Sequence, residues 1–277
     1  MTIPLGHRTP RLNLGDAIHD GWLAYSRSPR AFGAFSLLVF LVQLLCQPLQ
    51  HRIGTGNQLS PYILDWFLYT IGLFASVVGY VWGVVGMVCG AWEALAGGRP
   101  GLLRLMRWDW PSMARILKAI LLVTLLLLGP MGAVLLLVGI PMVGLAWLAE
   151  RQGPLPFTLI QLTSLTLGVL LLLLIGLLGV AVLYLSVNQK FLVQIAIFEG
   201  GGPMAVVSRG RRMIDPHWPL LLLLSVVEGL LLVLGVLACF VGLFVAWPVV
   251  VCITTAAYRQ LLGENSLARL NPMAQTG

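Results

Sequence analysis

Residues 114–149 read ARILKAILLVTLLLLGPMGAVLLLVGIPMVGLAWLA, and the number of times this stretch crosses a bilayer decides the plan of the chain. A helix needs about 20 residues to cross roughly 30 Å of hydrocarbon. The stretch is too long for one upright helix, and Gly129-Pro130 and Gly139-Ile140-Pro141 are where a hairpin would turn. A hairpin adds a seventh crossing and carries Arg209, Arg211 and Arg212 to the outer face. A single kinked span with an external apolar extension keeps them inside.

Charge decides between the two. Fifteen of the 17 Lys and Arg residues fall in every second polar gap between apolar runs, and only Arg52 and Arg151 lie in the gaps between. Cytoplasmic loops collect Lys and Arg, so one kinked span is the reading that keeps the alternation intact. The inside set is then Arg8, Arg11, Arg27 and Arg30; Arg99, Arg104, Arg107, Arg115 and Lys118; Lys190, Arg209, Arg211 and Arg212; and Arg259 and Arg269.

The expected fold is an all-α integral membrane protein with six transmembrane helices and short amphipathic interfacial helices. Spans are expected at about 31–49, 62–92, 114–138, 157–187, 217–237 and 239–258. They form a single polytopic domain over 1–277, with a cytoplasmic amphipathic segment at 1–30 and a cytoplasmic tail at 259–277. Trp66, Trp92, Trp147, Trp218 and Trp247 fall near the expected span ends, as an aromatic belt requires. The localisation that follows is a bacterial inner membrane, multi-pass, with both termini cytoplasmic.

Composition agrees. The chain is 58% hydrophobic and 10% charged, against about 45–50% and 25% in soluble domains. Its net charge of +7 would suggest nucleic acid in a soluble protein. Here the cations flank apolar runs, where they meet anionic lipid headgroups, so nucleic acid is set aside as a partner. The partners expected are membrane lipids and a further membrane protein. Cys46, Cys89, Cys239 and Cys252 lie in or beside apolar runs without CxxC spacing, and read as small buried hydrophobes; no metal or cofactor is expected. The first 30 residues are polar with Pro4, Pro10 and Pro29, so a cleaved signal peptide is not expected.

The three cytoplasmic segments look alike. They read Leu14-Gly15-Asp16-Ala17 to Ser28-Pro29, then Gly97-Gly98-Arg99-Pro100 to Trp110-Pro111, then Gly200-Gly201-Gly202-Pro203 to His217-Trp218. A Gly-Pro start suits a helix N-terminus, and basic and aromatic residues favour the headgroup plane. The expected unit is an interfacial helix followed by two membrane helices, in a threefold internal repeat. The plainer alternative is that any re-entry into a membrane attracts Pro, Trp and Arg.

In the third segment Phe198-Glu199-Gly200, Pro203, Ala205, Ser208, Arg212 and Trp218 resemble the glycerophosphodiester phosphodiesterase membrane-domain family. Ala17, Gly21-Trp22 and Pro29 fit the family's start, and Ala256-Ala257-Tyr258-Arg259 its last helix; Ser208-Arg209 inverts the expected order. The resemblance implies a six-helix membrane domain that often stands alone. It does not imply the phosphodiesterase activity, which belongs to a separate soluble barrel that this chain has no room for.

Candidate sites are few. Glu228, in Ser225-Val226-Val227-Glu228-Gly229, lies midway along the fifth span. It reads either as a proton or cation relay or as a hydrogen-bonded link between helices. The second is favoured because no other ionisable residue sits at comparable depth. Its expected partners are Gln161, Thr163, Ser164 and Thr166 in the fourth span and Ser76 and Tyr80 in the second. Asp65 reads as an acid at a helix N-terminus. Glu199, Gly200 and Pro203 read as a hinge, with Glu199 paired to Arg209, Arg211 or Arg212. The triple glycine lacks the strand and the Lys-Ser/Thr of a phosphate loop. Small residues Ala75, Gly79 and Gly83, and Gly86 and Gly90, are expected to pack helices within the monomer.

With no GxSxG and no histidine placed as a base at membrane depth, a non-enzymatic role is expected. One version is a scaffold or subunit that docks partner proteins or lipid through Arg104, Arg107, Arg209, Arg211 and Arg212. The alternative is a transporter or channel for a small or lipid-like solute, built from the repeated pairs around Glu228.

Overall fold

A computed structural model describes residues 12–50, 62–152, 157–238 and 241–262. Every regular element among them is helical: α1 Leu14–Arg27, α2 Pro29–Gln50, α3 Tyr62–Leu95, α4 Leu102–Leu105, α5 Trp110–Gln152, α6 Phe157–Asn188, α7 Leu192–Phe198, α8 Pro203–Ile214, α9 Trp218–Leu237 and α10 Leu243–Leu262. Six stretches are long and apolar enough to cross a membrane: Pro29–Leu49, Trp66–Leu95, Trp110–Ala133, Gly168–Phe198, Pro203–Leu237 and Leu243–Leu262.

Residues 114–149 do not form a hairpin. One helix, α5, runs through both proline sites for 43 residues. A proline removes one backbone hydrogen bond, and long apolar helices tolerate this where neighbouring groups or local adjustment satisfy the freed carbonyl. Leu125, Leu128, Met131, Leu136, Leu137, Ile140 and Val143 are exposed along it. The last helix begins later than its expected start at 239, because Gly242 packs against Gly235 across the preceding turn, where an added Cβ would sit 2.8 Å from the Gly235 Cα.

The tight part of the molecule is α1, α2, α3 and α10. Asn13 starts α1: its side chain accepts from the Gly15 N–H at 3.0 Å, and its own N–H donates to Gln260 Oε1 at 3.0 Å. One face of α1, formed by Ala17, Gly21, Ala24 and Tyr25, is buried, following the i, i+4, i+7, i+8 spacing of a one-sided helix. That face meets α10 so closely that a Cβ on Gly21 would lie 2.6 Å from the Ile253 Cα. Burial pushes the Tyr25 phenol up from its ordinary range.

The α3 glycines also work inside the chain. A Cβ on Gly79 would meet Val42 at 2.9 Å and one on Gly83 would meet Val39 at 2.7 Å, both on α2. Gly86 faces the Leu105 carbonyl and the Phe35 ring, so α4 rests directly on the α3 backbone. Gln43 Nε2 donates to the Ser76 carbonyl at 2.9 Å, and Ser76 Oγ donates back to Gln43 Oε1. Ser76 is therefore a partner of α2, not of Glu228. A second packed group, α5 with α7 and α8, buries Met113, Ile116, Ile195, Val206 and Ile214. The described side chains of α6 are exposed over most of its length.

Two smaller expectations change. Trp92 is 3% exposed, enclosed by aromatic rings, so it is no belt residue, whereas Trp66 and Trp147 are exposed. Cys46 and Cys252 are buried but Cys89 faces outward; Cys239 lies outside the described residues.

Candidate functional site

The chain between α6 and α7 turns inside the protein. Asn188 and Phe191 are buried, and the apolar run Phe191 to Phe198 continues at once into α7. Lys190, expected in a cytoplasmic segment, therefore points inward with its side chain 8% exposed. Its ammonium donates to Glu228 Oε2 at 2.7 Å and to Ser225 Oγ at 2.7 Å, both on α9. The other carboxylate oxygen, Oε1, accepts from Thr254 Oγ1 of α10 at 2.9 Å. Three parts of the chain converge here: the α6–α7 turn, α9 and α10.

This corrects the reading that no ionisable residue accompanies Glu228. It also replaces the expected partners. Gln161 and Ser164 belong to α6, with side chains outside the described ones. At about 1.5 Å per residue, the Gln161 backbone is roughly 40 Å along the helix from Asn188. Tyr80 is exposed, and the side chain of Asp65 lies outside the described ones. The pair is closed, since both carboxylate oxygens and two ammonium protons are used. Beside it in the chain, Asn188 and Gln189 have buried amide atoms without a hydrogen-bond partner among the described residues, as does Gln194 on α7.

A second cluster holds the α7–α8 joint. Glu199 ends α7, Gly200 and Gly201 take φ of 71° and 98°, and Pro203 opens α8. Positive φ strains residues with a Cβ, which is why the joint is glycine. Glu199 Oε2 accepts from Arg209 Nε at 3.0 Å, and Glu199 Oε1 accepts from the Tyr258 hydroxyl at 2.9 Å. Tyr258 is fully buried under Phe191 and Phe198, whose ring centroids lie 5.7 and 6.3 Å away. The Trp92 ring is 4.3 Å from Phe198. The joint is thus tied to the far end of the chain by one buried hydroxyl.

Tyr258→Phe is expected to destabilise the protein by about 1.5 kcal/mol, the lower end for a hydrogen bond to a charged group. Arg209→Ala, removing a half-exposed partner, is expected to cost no more than about 1 kcal/mol. Thermal unfolding of the two variants in detergent checks the order; equal costs would remove the special role of the hydroxyl.

The other basic residues are less free than the sequence implies. Arg104 pairs with Glu93 at 2.8 Å and Arg211 with Asp215 at 3.6 Å. Arg107 and Arg212 are exposed and form no ion pair among the described residues. Exposed pairs of this kind are worth about 0–1 kcal/mol, so Arg104 and Arg211 can exchange partners cheaply. Close in the chain to these cations, the apolar side chains of Leu103, Trp108, Trp110 and Met204 are exposed, as are Trp22 and Leu23 on α1. A cleft of about 310 Å³ opens where α1, α10 and the end of α3 meet, lined by Asp20, Leu23, Ala24, Arg27, Leu95, Ala256, Arg259 and Gln260.

No family model matches the chain, and neither the curated proteins nor the solved structures contain a significant match to it.

Lys190, Thr254 and Tyr258 are site residues that sequence reasoning missed. Lys190 carried a signal: the stretch Phe191 to Phe198 that follows it, apolar except for Gln194, makes a solvated loop a poor account. For Tyr258, 59 positions from Glu199, no local pattern exists.

Proposed function

We propose that this is a non-enzymatic, multi-pass protein of a bacterial inner membrane that docks lipid headgroups and partner proteins through its basic, one-sided helices. Its arginine-rich segments and both termini face the cytoplasm. The observation that carries the reading is the pairing of exposed cations with exposed aromatic and aliphatic side chains on and beside α4 and α8. Arg99 and Arg107 flank α4 with Leu103 and Trp108, and Arg212 shares α8 with Met204, on short helices and turns that adjoin the membrane-length helices. Such surfaces gain from apolar insertion and from anionic headgroups at once. The element order supports a threefold unit: α1 leads into α2 and α3, α4 into α5 and α6, and α8 into α9 and α10. The resemblance to the glycerophosphodiester phosphodiesterase membrane domain, carried by the residues around Glu199 and Pro203, supports the same plan.

Native mass spectrometry of lipids retained by the full-length protein from phosphatidylcholine and phosphatidylglycerol mixtures tests the docking. Each cation near an anionic surface contributes about 1 kcal/mol, so Arg107→Ser with Arg212→Ser should lower the preference for phosphatidylglycerol roughly thirtyfold. An unchanged preference overturns the reading.

A second reading, transport of a small or lipid-like solute, is favoured by one observation. The Lys190–Glu228 pair, with the unpartnered Asn188 amide and Gln189 Oε1 beside it in the chain, sets polar groups within an apolar bundle. Solute flux into vesicles by Glu228→Gln protein separates the readings, because a relay needs the carboxylate.

A further inference from the structure

The cleft between α1, α10 and the end of α3 holds opposite charges that leave each other unpaired. Arg27 and Arg259 are half-buried, and neither has a carboxylate within ion-pair distance among the described residues. Arg27 donates to the Ala94 carbonyl, and Arg259 lies 5.3 Å from the centre of the Trp92 ring. Both guanidiniums are therefore held in place while keeping N–H groups to spare. Asp20 lines the same cleft; its carboxylate acts on the Arg259 guanidinium from beyond ion-pair distance, and its one close ionic contact is His19, at 3.8 Å. Gln260 is positioned by the Asn13 N–H on its Oε1, which leaves its amide N–H₂ free to donate. The remaining lining, Leu23, Ala24, Leu95 and Ala256, is apolar.

Two fixed guanidiniums and an amide donor select a phosphate, for which the Arg fork is suited. A lone carboxylate in the same cleft selects a cation on the same ligand. The apolar collar and the position at the ends of α3 and α10 favour a ligand that continues into acyl chains. We propose that this cleft binds a phosphate ester carrying a primary amine, the chemistry of a phosphoethanolamine headgroup, with Arg27 and Arg259 on the phosphate and Asp20 on the ammonium. The proposal rests on the lipid-docking reading but names residues that the exposed helices do not share. Phosphatidylcholine carries the same phosphate, but its quaternary ammonium has no N–H to donate to Asp20. Phosphatidylglycerol has no cation, and its hydroxyls can donate to the carboxylate only as neutral groups.

Full-length protein in mild detergent, depleted of lipid, is titrated with phosphatidylethanolamine, phosphatidylcholine, phosphatidylglycerol and soluble phosphoethanolamine, and binding is read by native mass spectrometry. Phosphatidylethanolamine is expected to bind about tenfold more tightly than phosphatidylcholine, as for one charge-assisted hydrogen bond. Asp20→Asn, at an exposed position where folding is not in question, should bring the two within twofold while leaving phosphatidylglycerol no weaker. Arg259→Gln should weaken all three. Binding of the lipid without the soluble ester assigns the lipid as the source; equal binding assigns the free ester and upholds the same chemistry. Equal affinity of the wild type for the ethanolamine and choline lipids, or an Asp20→Asn variant that keeps the preference, overturns the proposal. The Arg107 and Arg212 variants report on the helix surfaces alone, so failure there and failure here are separable.

Discussion

Lys190→Ala is expected to destabilise the protein by about 3–5 kcal/mol, because it leaves the Glu228 carboxylate buried with only Thr254 to compensate it. The size follows from the asymmetry of buried pairs. The intact pair gains little over an apolar substitute, since both groups lose water, but half of it is costly. Glu228→Ala should cost as much, stranding the ammonium against Ser225. The double variant Lys190→Met with Glu228→Leu should recover most of the loss. Unfolding midpoints of Lys190→Met, Glu228→Leu and their double variant in detergent give the coupling directly. Additive losses would mean that the two groups act independently and that the close contact contributes nothing. Since the pair joins the α6–α7 turn to α9 and α10, the single variants should also speed proteolysis at the α7–α8 joint.

Gly21→Leu is the second large effect. The α1 backbone lies against α10, and a first side-chain carbon would already fall 2.6 Å from the Ile253 Cα and 2.7 Å from its nitrogen. Those are backbone atoms, so no rotamer change relieves the clash and the helices have to part. Overpacking usually costs about 1–3 kcal/mol, and separating two helix backbones belongs at or above the top of that range. Gly33→Ala, also helical but with nothing within 4 Å of the added carbon, supplies the control. It should stabilise by up to about 1 kcal/mol through helix propensity. If both variants unfold together, the close approach of α1 to α10 is refuted.

The membrane-length helices were legible because each is a long apolar run bounded by polar residues, a signal that sums over twenty positions. The boundaries and the buried charges were not. A rule that assigns every Lys to a loop misplaces Lys190, because it counts residues along the chain and cannot see that the turn at 189–191 is covered by α9. The prolines at 130 and 141 raised a hairpin that did not form: proline weakens a helix locally, whereas folding back needs partners for the second limb, and the exposed leucines around Pro130 meet none. The glycine stripe of α3 was readable as a packing face; that its neighbours are Val39, Val42 and the Leu105 carbonyl was not. The cleft left no trace at all in the sequence, since its charges come from positions 20, 27 and 259.

The contact between Gly21 and Ile253 also sets an order of assembly. A ribosome adding about 5–20 residues per second needs roughly ten to fifty seconds to travel the distance between those two positions. For that interval the face of α1 that meets α10 lacks its partner, and lipid or a chaperone has to cover it. Assembly of this part of the fold is therefore completed by the last helix, and a nascent chain halted before it would carry five membrane-length helices around an open seam.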